Sequence, residues 1–423
     1  MARGVPMSSP APPTGGPGGR AAPCALVTDA GRGSALSIIR SLGRRGWRVV
    51  AADGDPRSAG LRSRYAHDKL VYPPPLTAPR AFADAVHDAV RELGVDVLFP
   101  VTDDVIQPLA AQRARFEGLC RLAIPDPEAL ELVSDKARTL ELARELDVPV
   151  PATCYVRTAE DVAAARDRLR WPVVVKPERS RRLAAGGERL ESYQVSYAVD
   201  ERDLLEQLAR FPAGGGFLLQ EYCPGEGVGV EMVAHDGEPL AEFQHRRLAE
   251  IPISGGASAW RESVALQPEL AEYSRRLVRA LRWTGPIMVE FKVGERPYLM
   301  EINGRVWGSL PLAVLSGVDI PARWAEIGLN GAGPGAPEPP GYEVGLRAYD
   351  LERLLMWIGN VLLRRRRQPH VPAPRRRDAL RAIACLFDPR QKSDFAAADD
   401  PRPARAQLFH IGRKFAKKLL GRP

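Results

Sequence analysis

The prediction of the fold starts at residues 297–309, which read Pro-Tyr-Leu-Met-Glu-Ile-Asn-Gly-Arg-Val-Trp-Gly-Ser. Side chains in the first half of this segment alternate between two faces, as they do along a strand with one buried face. Glu301 and Asn303 then share a face, and both offer the oxygen ligands that Mg²⁺ prefers. A strand whose polar face is simply solvated is the alternative interpretation of this short pattern taken alone.

A second strand is predicted at residues 288–292, where Glu290 is the one carboxylate in a largely apolar run, and residues 293–297 predict a hairpin turn. A carboxylate inside a buried strand is costly unless it is paired or bound to a metal. The hairpin would supply that partner by placing Glu290 opposite Glu301 and Asn303. Arg305, two residues beyond Asn303 and on the same side if the strand continues, carries a planar guanidinium that can contact a phosphate.

Length and composition set the broad class of the protein. The chain has 423 residues, with 45% hydrophobic and 26% charged residues, which predicts a soluble globular protein of two or three domains. No run approaches the length of a membrane-spanning helix. Residues 1–23 are rich in Pro and Gly and lack an apolar core, so they predict a disordered leader and not a secretion signal.

The spacing of the cysteines and the net charge indicate which ligands and partners the protein could bind. The five cysteines are scattered without a Cys-x-x-Cys pair, which indicates buried thiols in a reducing cytoplasm and not disulfides or zinc. The formal net charge of +8 comes largely from arginine. It favours anionic ligands or membrane surfaces, but by itself it predicts no nucleic-acid partner.

Residues 24–125 predict a Rossmann-like domain. Cys24 to Thr28 is a short apolar run, a Gly31-x-Gly33 turn follows, and residues 35–42 have helical periodicity. Further elements alternate along the chain, which implies a mostly parallel sheet: a strand at 47–52, a helix at 79–93, a strand at 95–100 and a helix at 103–116. The third glycine of a dinucleotide-binding turn is absent, so a structural role is favoured over cofactor binding.

The middle of the chain contains cationic residues at positions where they could contact phosphate. A helix is predicted to begin at Ser134-Asp135-Lys136 and to run to Leu146, with Ser134 as its N-cap. Lys176 ends an apolar strand, where a lysine can contact phosphate. The basic, glycine-bearing segment at 178–188 is predicted either to fold over a polyphosphate or to be a solvated loop.

Two further cationic clusters flank the glycine-bearing loop at 254–258. They are His245-Arg246-Arg247 before the loop and Arg261 after it. Together they predict the capture of an anion. A solvated basic face is the alternative for either cluster alone.

In combination these motifs resemble the ATP-grasp superfamily. The resemblance rests on their order and spacing: Lys136, the strand Val173–Pro177, the segment Gln220–Gly225, Glu290 and the segment Glu301–Arg305. It covers about residues 24–330 and looks most like the carboxylate–amine ligases related to the carbamoyl-phosphate synthetase large chain and the purine-biosynthetic ligases. Two departures are Gly304, where this branch commonly has proline, and the loop after Lys176, which lacks a clean glycine-rich pattern.

The resemblance implies an α/β fold, with α+β character in the catalytic part. A Rossmann-like pre-ATP-grasp domain is expected at 24–125 and a two-lobed ATP-grasp domain at 126–335, with a lid subdomain at about 151–224. A C-terminal, helical and basic extension is expected at 336–423.

The resemblance also implies roles for individual residues. Lys136 and Lys176 are similar to the phosphate-binding lysines of the family. Gln220, Glu221 and the backbone of Cys223 resemble the adenine-binding hinge, and Glu226 resembles the ribose ligand.

The same resemblance implies which residues bind the metal and the substrate. Glu290, Glu301 and Asn303 resemble the Mg²⁺ ligands, and Arg305 resembles the arginine that stabilises the transferring phosphoryl group. The catalytic residues expected here are Arg305, Lys176 and Arg247. The substrate acid is expected at Arg246, Arg247, Ser254 and Arg261.

The expected function is an ATP-dependent ligase that uses Mg²⁺, or alternatively Mn²⁺, to activate a carboxylate as an acylphosphate and join it to an amine. Its partners would be a small-molecule acid and amine. Three alternatives stay open: a kinase-like or carboxylase-like ATP-grasp enzyme, a non-catalytic nucleotide-binding module recruited through its basic tail, and a Rossmann oxidoreductase.

The C-terminal part predicts an amphipathic helix at residues 351–363 and a basic amphipathic helix at residues 409–420. The second carries four cations on one side: Arg413, Lys414, Lys417 and Lys418. Such a helix either lies on an anionic membrane or docks on the protein with its basic face in solvent. We therefore expect a cytoplasmic protein, with surface association to a membrane and homo-oligomerisation left open.

Overall fold

The computed structural model describes residues 22–165, 168–179, 181–183, 190–192, 195–208, 216–331, 341–364 and 373–419. Residues 1–21 of the predicted leader, residues 180 and 184–188 of the basic segment after Lys176, and residue 420 of the second predicted C-terminal helix lie outside the described part. The fold is mixed α/β, as predicted, and is organised around three larger sheets and one two-stranded sheet.

The first sheet has five parallel strands in the order β3-β2-β1-β4-β5. The strands are β1 (Cys24–Val27), β2 (Arg48–Asp53), β3 (Asp68–Val71), β4 (Val97–Phe99) and β5 (Arg121–Leu122). The helices between them are α1 (Gly33–Arg44), α2 (Pro79–Leu93) and α3 (Asp103–Ala110), with 3₁₀ turns at Ala59–Arg62 and Arg113–Phe116. The helix predicted at 103–116 is therefore two shorter elements. The predicted alternation of strand and helix is confirmed.

Helices cover both faces of this sheet. Ile38 and Ile39 of α1 pack on one face, and Phe82 of α2 packs on the other. On the α1 side, Phe99 meets Trp324 of a later helix edge to face, with ring centroids 4.8 Å apart. This contact joins the first sheet to the part of the chain that follows residues 297–309.

Two short helices lead out of the first sheet, α4 (Pro127–Ser134) and α5 (Lys136–Glu145). The predicted N-cap at Ser134 is wrong, because Ser134 is the last residue of α4. Asp135 caps α5 instead: its carboxylate accepts hydrogen bonds from the backbone N–H groups of Ala137 (3.0 Å) and Arg138 (3.1 Å). The cap places Lys136 in the first turn of α5.

The second sheet is antiparallel, in the order β10-β7-β11-β6. Its strands are β6 (Thr153–Val156), β7 (Val173–Pro177), β10 (Ser196–Ala198) and β11 (Phe217–Glu221); β8 (Arg181–Leu183) and β9 (Leu190–Ser192) form the separate pair. Helices α6 (Ala159–Ala165) and α7 (Glu201–Leu208) accompany this sheet. We refer to it as the lid sheet.

The third sheet has seven strands in the order β16-β15-β12-β13-β14-β17-β18, and we call it the large sheet. Its strands are β12 (Glu226–His235), β13 (Glu238–Ile251), β14 (Ala257–Ser263), β15 (Gly285–Val293), β16 (Pro297–Asn303), β17 (Arg347–Tyr349) and β18 (Lys392–Ser393). The remaining helices are α8 (Pro268–Ala280), α9 (Leu310–Leu315), α10 (Ile320–Asn330), α11 (Leu351–Leu362), α12 (Arg376–Cys385) and α13 (Arg402–Leu419). The C-terminal part thus adds two strands to this sheet besides its helices.

A buried polar cluster fastens the C-terminal part to the first sheet. Asp400, which is fully buried, accepts hydrogen bonds from Arg40 Nε (3.0 Å), Ser63 Oγ (2.7 Å) and the backbone N–H of Arg64 (2.9 Å). Arg40 also donates to the carbonyl oxygens of Phe395 and Asp400, at 2.8 and 2.9 Å. Because α1 carries Arg40, the segment around residues 394–400 is held against the first sheet.

Helix α13 contacts the 3₁₀ turn Ala59–Arg62. Three of its apolar side chains, Leu408, Phe409 and Phe415, are more than half exposed. Within the described residues, every helix is too short or too polar to cross a bilayer. The peripheral membrane contact stays a prediction.

Candidate active site

The predicted hairpin of β15 and β16 brings the acidic residues together. The strands pair in antiparallel register, with Glu290 directly opposite Glu301 and a bulge between Glu290 and Phe291. Asn303 donates through Nδ2 to Glu290 Oε1 (2.9 Å) and to Glu301 Oε1 (3.3 Å). We refer to Glu290 and Glu301 as the carboxylate pair.

The two carboxylates have different electrostatic surroundings. Burial raises the pKa of Glu290 above its usual value, although the guanidinium of Arg247 lies 2.5 Å from its Oε2. Burial also opposes ionisation of Glu301, but the attraction of Lys136, Lys176 and Arg305 outweighs it and holds the pKa of Glu301 below its usual value. Glu301 is therefore the anionic centre around which the cations gather.

The carboxylate pair and Asn303 fit a hard divalent cation, because carboxylate and amide oxygens are the ligands of Mg²⁺ and Mn²⁺. In the described part of the chain, no group of three or more His, Cys, Asp or Glu side chains is arranged to hold a metal by itself. An ion at this site would therefore need Asn303, or oxygens of a bound substrate, in addition to the pair.

Two lysines reach this site from different elements. Lys176 stands near the end of β7 in the lid sheet, and its Nζ lies 3.5 Å from the carbonyl oxygen of Met300 on β16. Burial lowers the pKa of Lys176 to about 8. Lys136 lines a smaller adjoining cavity of about 250 Å³ together with Glu301, Asn303 and Arg305, and burial lowers its pKa too.

Arg305 occupies the loop that follows β16, because the strand ends at Asn303. Its Nε lies 3.1 Å from Asp103 Oδ2, at the start of α3 in the first domain. The sequence placed Arg305 as a continuation of the strand and did not predict Asp103 as its partner. No local signal marks Asp103, since a carboxylate in the first turn of a helix is common.

A single cleft of about 790 Å³ runs between the lid sheet and the large sheet. Gln220, Glu221 and Cys223 line it at the end of β11, together with the carboxylate pair. The amide of Gln220 donates from Nε2 to Thr153 Oγ1 (3.0 Å), and this hydrogen bond fixes the orientation of the Gln220 side chain. Glu226 is exposed at the start of β12 and does not line the cleft, so the structure does not bring the predicted ribose ligand to the site.

The predicted substrate residues separate into two groups. Arg247 and Ser254 line the cleft, and Arg247 also donates to Glu250 Oε1 (3.2 Å) and to the carbonyl oxygen of Gly256 (3.0 Å). The structure does not bring Arg246 and Arg261, the other two residues predicted for the substrate acid, to the cleft. Neighbouring residues of β13 point to opposite faces, and the sequence did not indicate which of Arg246 and Arg247 faces inward.

Arg246 forms an ion pair with Glu262, in which Nη2 of Arg246 lies 2.6 Å from Oε2 of Glu262. Arg261 has no exposed side-chain surface and pairs with Asp394 of the C-terminal part. A guanidinium that is fully buried against a carboxylate cannot contact a substrate in this conformation. Arg261 therefore helps to hold the C-terminal part on the large sheet.

Several residues that line the cleft were not predicted. They come from the N-terminal end of α1 and from the C-terminal part: Arg32, Gly33, Ser34, Arg353, Phe395 and His410. A Cβ atom added at Gly33 would lie 2.9 Å from Cβ of Asp394. The glycine turn of the first domain therefore permits the C-terminal segment to approach it closely.

Comparison with known protein families supports the resemblance. A model of the family described as "ATP-grasp in the biosynthetic pathway with Ter operon" matches residues 215–352. The large chain of carbamoyl phosphate synthase from Thermoanaerobacter pseudethanolicus is 24% identical over 255 residues, which are 58% of this chain and 23% of the relative. The chain thus spans about a quarter of the length of this curated relative.

Two solved structures illustrate the fold that this chain shares with known proteins. The biotin carboxylase domain of 2-oxoglutarate carboxylase from Hydrogenobacter thermophilus, solved with MgADP and bicarbonate, matches with a TM-score of 0.59 and 17% identity over 75% of this chain and 73% of that one. N5-carboxyaminoimidazole ribonucleotide synthetase from Thermus thermophilus matches with a TM-score of 0.54 and 21% identity over 75% and 81%. At these identities the structures show a shared fold. The motifs, the hairpin geometry and the family model over residues 215–352 agree in making this chain similar to ATP-grasp proteins, with sequence similarity to the carbamoyl phosphate synthase large chain and a fold shared with these two structures.

Proposed function

We propose that this protein is an ATP- and Mg²⁺-dependent ligase that activates a carboxylate as an acylphosphate and joins it to an amine. The observation that carries the proposal is the convergence of Lys136, Lys176 and Arg305 on Glu301, opposite Glu290 and beside Asn303. Three cations around a carboxylate pair match the needs of phosphoryl transfer, in which charge on the transferring group must be neutralised.

The nucleotide would lie between the lid sheet and the large sheet. Gln220, Glu221 and the backbone of Cys223 would face the adenine, and Lys136 and Lys176 would contact the phosphates. The carboxylate pair and Asn303 would hold Mg²⁺ or Mn²⁺. The ion supplies charge neutralisation on the phosphate oxygens when it is bound.

The chemistry follows from the poor reactivity of a carboxylate towards amines. A carboxylate oxygen attacks the terminal phosphorus of ATP, the bond to the bridging oxygen breaks, and ADP leaves. The amine then attacks the acyl carbon of the acylphosphate, inorganic phosphate leaves, and the amine nitrogen loses a proton. In this chain Arg305 would stabilise the transferring phosphoryl group. The lid sheet would exclude water that would otherwise hydrolyse the acylphosphate.

A label transfer experiment tests this route. Purified protein is incubated with Mg·ATP and pools of ¹⁸O-carboxylates, with and without amines, and the release of ADP and phosphate is followed. We expect ADP release that depends on one acid, and ¹⁸O in the released phosphate, because the acylphosphate transfers one carboxylate oxygen. ADP release with unlabelled phosphate would contradict the acylphosphate.

The same assay separates the other acceptor types. Stimulation by bicarbonate alone would favour a carboxylase-like enzyme, and phosphate retained on an acceptor hydroxyl would favour a kinase-like one. Tight nucleotide binding without any stimulated turnover would favour a non-catalytic nucleotide-binding module.

Nucleotide affinity is expected to depend on pH through Lys176. Because its pKa is lowered to about 8, its ammonium loses a proton as the pH rises through that value in the free protein, whereas nucleotide phosphates favour the charged form. The dissociation constant of Mg·ADP should therefore rise by up to about tenfold per pH unit between about pH 8 and about pH 10. Calorimetry across this range measures it.

The control for this prediction is Lys176→Arg, which stays charged over the whole range. We expect its dissociation constant for Mg·ADP to change little with pH. An equally steep curve for both proteins would show that another group controls the dependence.

A further inference from the structure

The cleft extends beyond the carboxylate pair to a second end, built largely from the C-terminal part. The start of α11, the segment at residues 394–395 and one side of α13 form this wall. The buried contacts of Asp400 hold it against the first sheet. The C-terminal extension is therefore part of the cleft.

The proposed reaction requires a site for an anionic substrate, and the residues predicted for it are mostly unavailable. Arg246 and Arg261 do not line the cleft. Arg247 does, but it is already held between Glu290 and Glu250. A cation without such carboxylate partners is therefore better placed to receive the anion.

Arg353 meets this requirement. It belongs to the first turn of α11, it is partly buried, and its side chain lines the cleft. Within the described part of the chain, its guanidinium makes no hydrogen bond and no ion pair. A partly buried cation that no carboxylate contacts directly leaves its hydrogen-bond donors available, and a bound anion would use them.

The carboxylates around Arg353 are engaged elsewhere. Asp350 caps α11 by accepting from the backbone N–H of Arg353 (3.0 Å), and Glu352 pairs with Lys414 (2.6 Å). Burial raises the pKa of Asp394 and Arg353 is near enough to oppose that rise, but the side-chain hydrogen bond of Asp394 is with Arg261. None of these acids neutralises the guanidinium directly.

Arg353 lies against the loop that follows β16 in the candidate active site. A Cβ atom added at Gly308 would lie 2.9 Å from Arg353 Nη1, so the guanidinium rests on the backbone of Gly308. Gly308 follows Asn303 by five residues in the loop that also carries Arg305. Met356 and Phe395 give the same end of the cleft apolar surface.

We propose that Arg353 binds an oxyanion group, a carboxylate or a phosphate, of one of the substrates that this protein joins. The adjacent apolar surface favours a substrate with an apolar body beside that group. Arg32, which is exposed and lines the same end, supplies a second positive charge nearby. This inference rests on the proposed function for the identity of the ligand as a substrate.

The test measures anion binding directly. Protein saturated with Mg·AMP-PNP, so that the nucleotide phosphates occupy their own site, is titrated with hexanoate and separately with inorganic phosphate at constant ionic strength, by calorimetry. The variants are Arg353→Met and the control Arg376→Met, an exposed arginine on α12 of the same C-terminal part. We expect saturable binding of one of the two anions, weakened at least tenfold in Arg353→Met and unchanged in the control.

A second variant keeps the charge but moves it. Gly308→Ala places a methyl group against Arg353 Nη1 and is expected to weaken the same anion severalfold. If Arg353→Met does not fold, the role of Arg353 is tested with Gly308→Ala instead. Preference for hexanoate would indicate a carboxylate substrate, and preference for phosphate a phosphorylated one.

Failure of this inference can be told apart from failure of the proposed function. Equal anion binding by wild type and Arg353→Met, or no saturable binding to either, would overturn the role of Arg353 while nucleotide binding remained. If AMP-PNP did not bind but the Arg353-dependent anion site persisted in its absence, the anion site would stand and the proposed ligase would not.

Discussion

Replacing Glu301 by Gln is expected to lower Mg²⁺-dependent turnover by about a hundredfold to a thousandfold, with the fold retained. The amide keeps the shape of the side chain, but it removes the negative charge on which Lys136, Lys176 and Arg305 converge. It also replaces an anionic oxygen opposite Glu290 by a neutral one, which weakens the hold on a divalent ion. Both effects act on the proposed phosphoryl transfer step.

The measurement is a titration of ADP release with Mg²⁺, using the acid found by the pool assay, together with far-UV circular dichroism. A matched control is Glu295→Gln, an exposed carboxylate in the turn of the same hairpin. We expect the control to keep wild-type turnover. If Glu301→Gln also kept it, Glu301 would not belong to the site.

Replacing Arg40 by Met is expected to lower the free energy of unfolding by about 3–5 kcal/mol. The change leaves the Asp400 carboxylate fully buried with its charged partner gone, and it removes two hydrogen bonds to backbone carbonyls. The loss should be larger than for an exposed pair, because water cannot solvate the remaining charge. Urea unfolding followed by fluorescence and circular dichroism measures it.

The control is Arg44→Met, four residues along the same helix. Its partner Asp399 is about as exposed as Arg44 itself, at 39% and 40% of the side chain, so we expect a loss of less than about 1 kcal/mol. The double variant Arg40→Met, Asp400→Asn should recover part of the stability by removing the buried charge. A similar loss for Arg40→Met and Arg44→Met would contradict the role given to burial.

The Arg40→Met variant is also expected to change anion binding in the cleft. The segment that Arg40 holds contains Phe395, and Asp394 of the same segment pairs with Arg261 on the large sheet. Loosening this segment would disturb the wall that faces Arg353. Weaker anion binding in the folded fraction of Arg40→Met would therefore accompany the loss of stability.

Local patterns determined the elements that carry the candidate chemistry. The period of a strand is two residues, so the sequence alone put Glu301 and Asn303 on one face, and the short turn at 293–297 placed Glu290 opposite Glu301. The alternation of apolar runs and helical periods in residues 24–125 likewise predicted the parallel sheet of the first domain. Each of these inferences involves residues that are close in the chain.

Only the tertiary structure decided which distant groups meet. It turned Arg247 towards the cleft and Arg246 away from it, left Glu226 at the surface, and paired Arg305 with Asp103 about 200 residues earlier. It also brought the C-terminal part onto the glycine turn, through contacts between Arg40 and Asp400 that join residues 360 positions apart. Periodicity fixes the face of an element on which a side chain lies, but the packing of that element against distant ones fixes what the side chain meets.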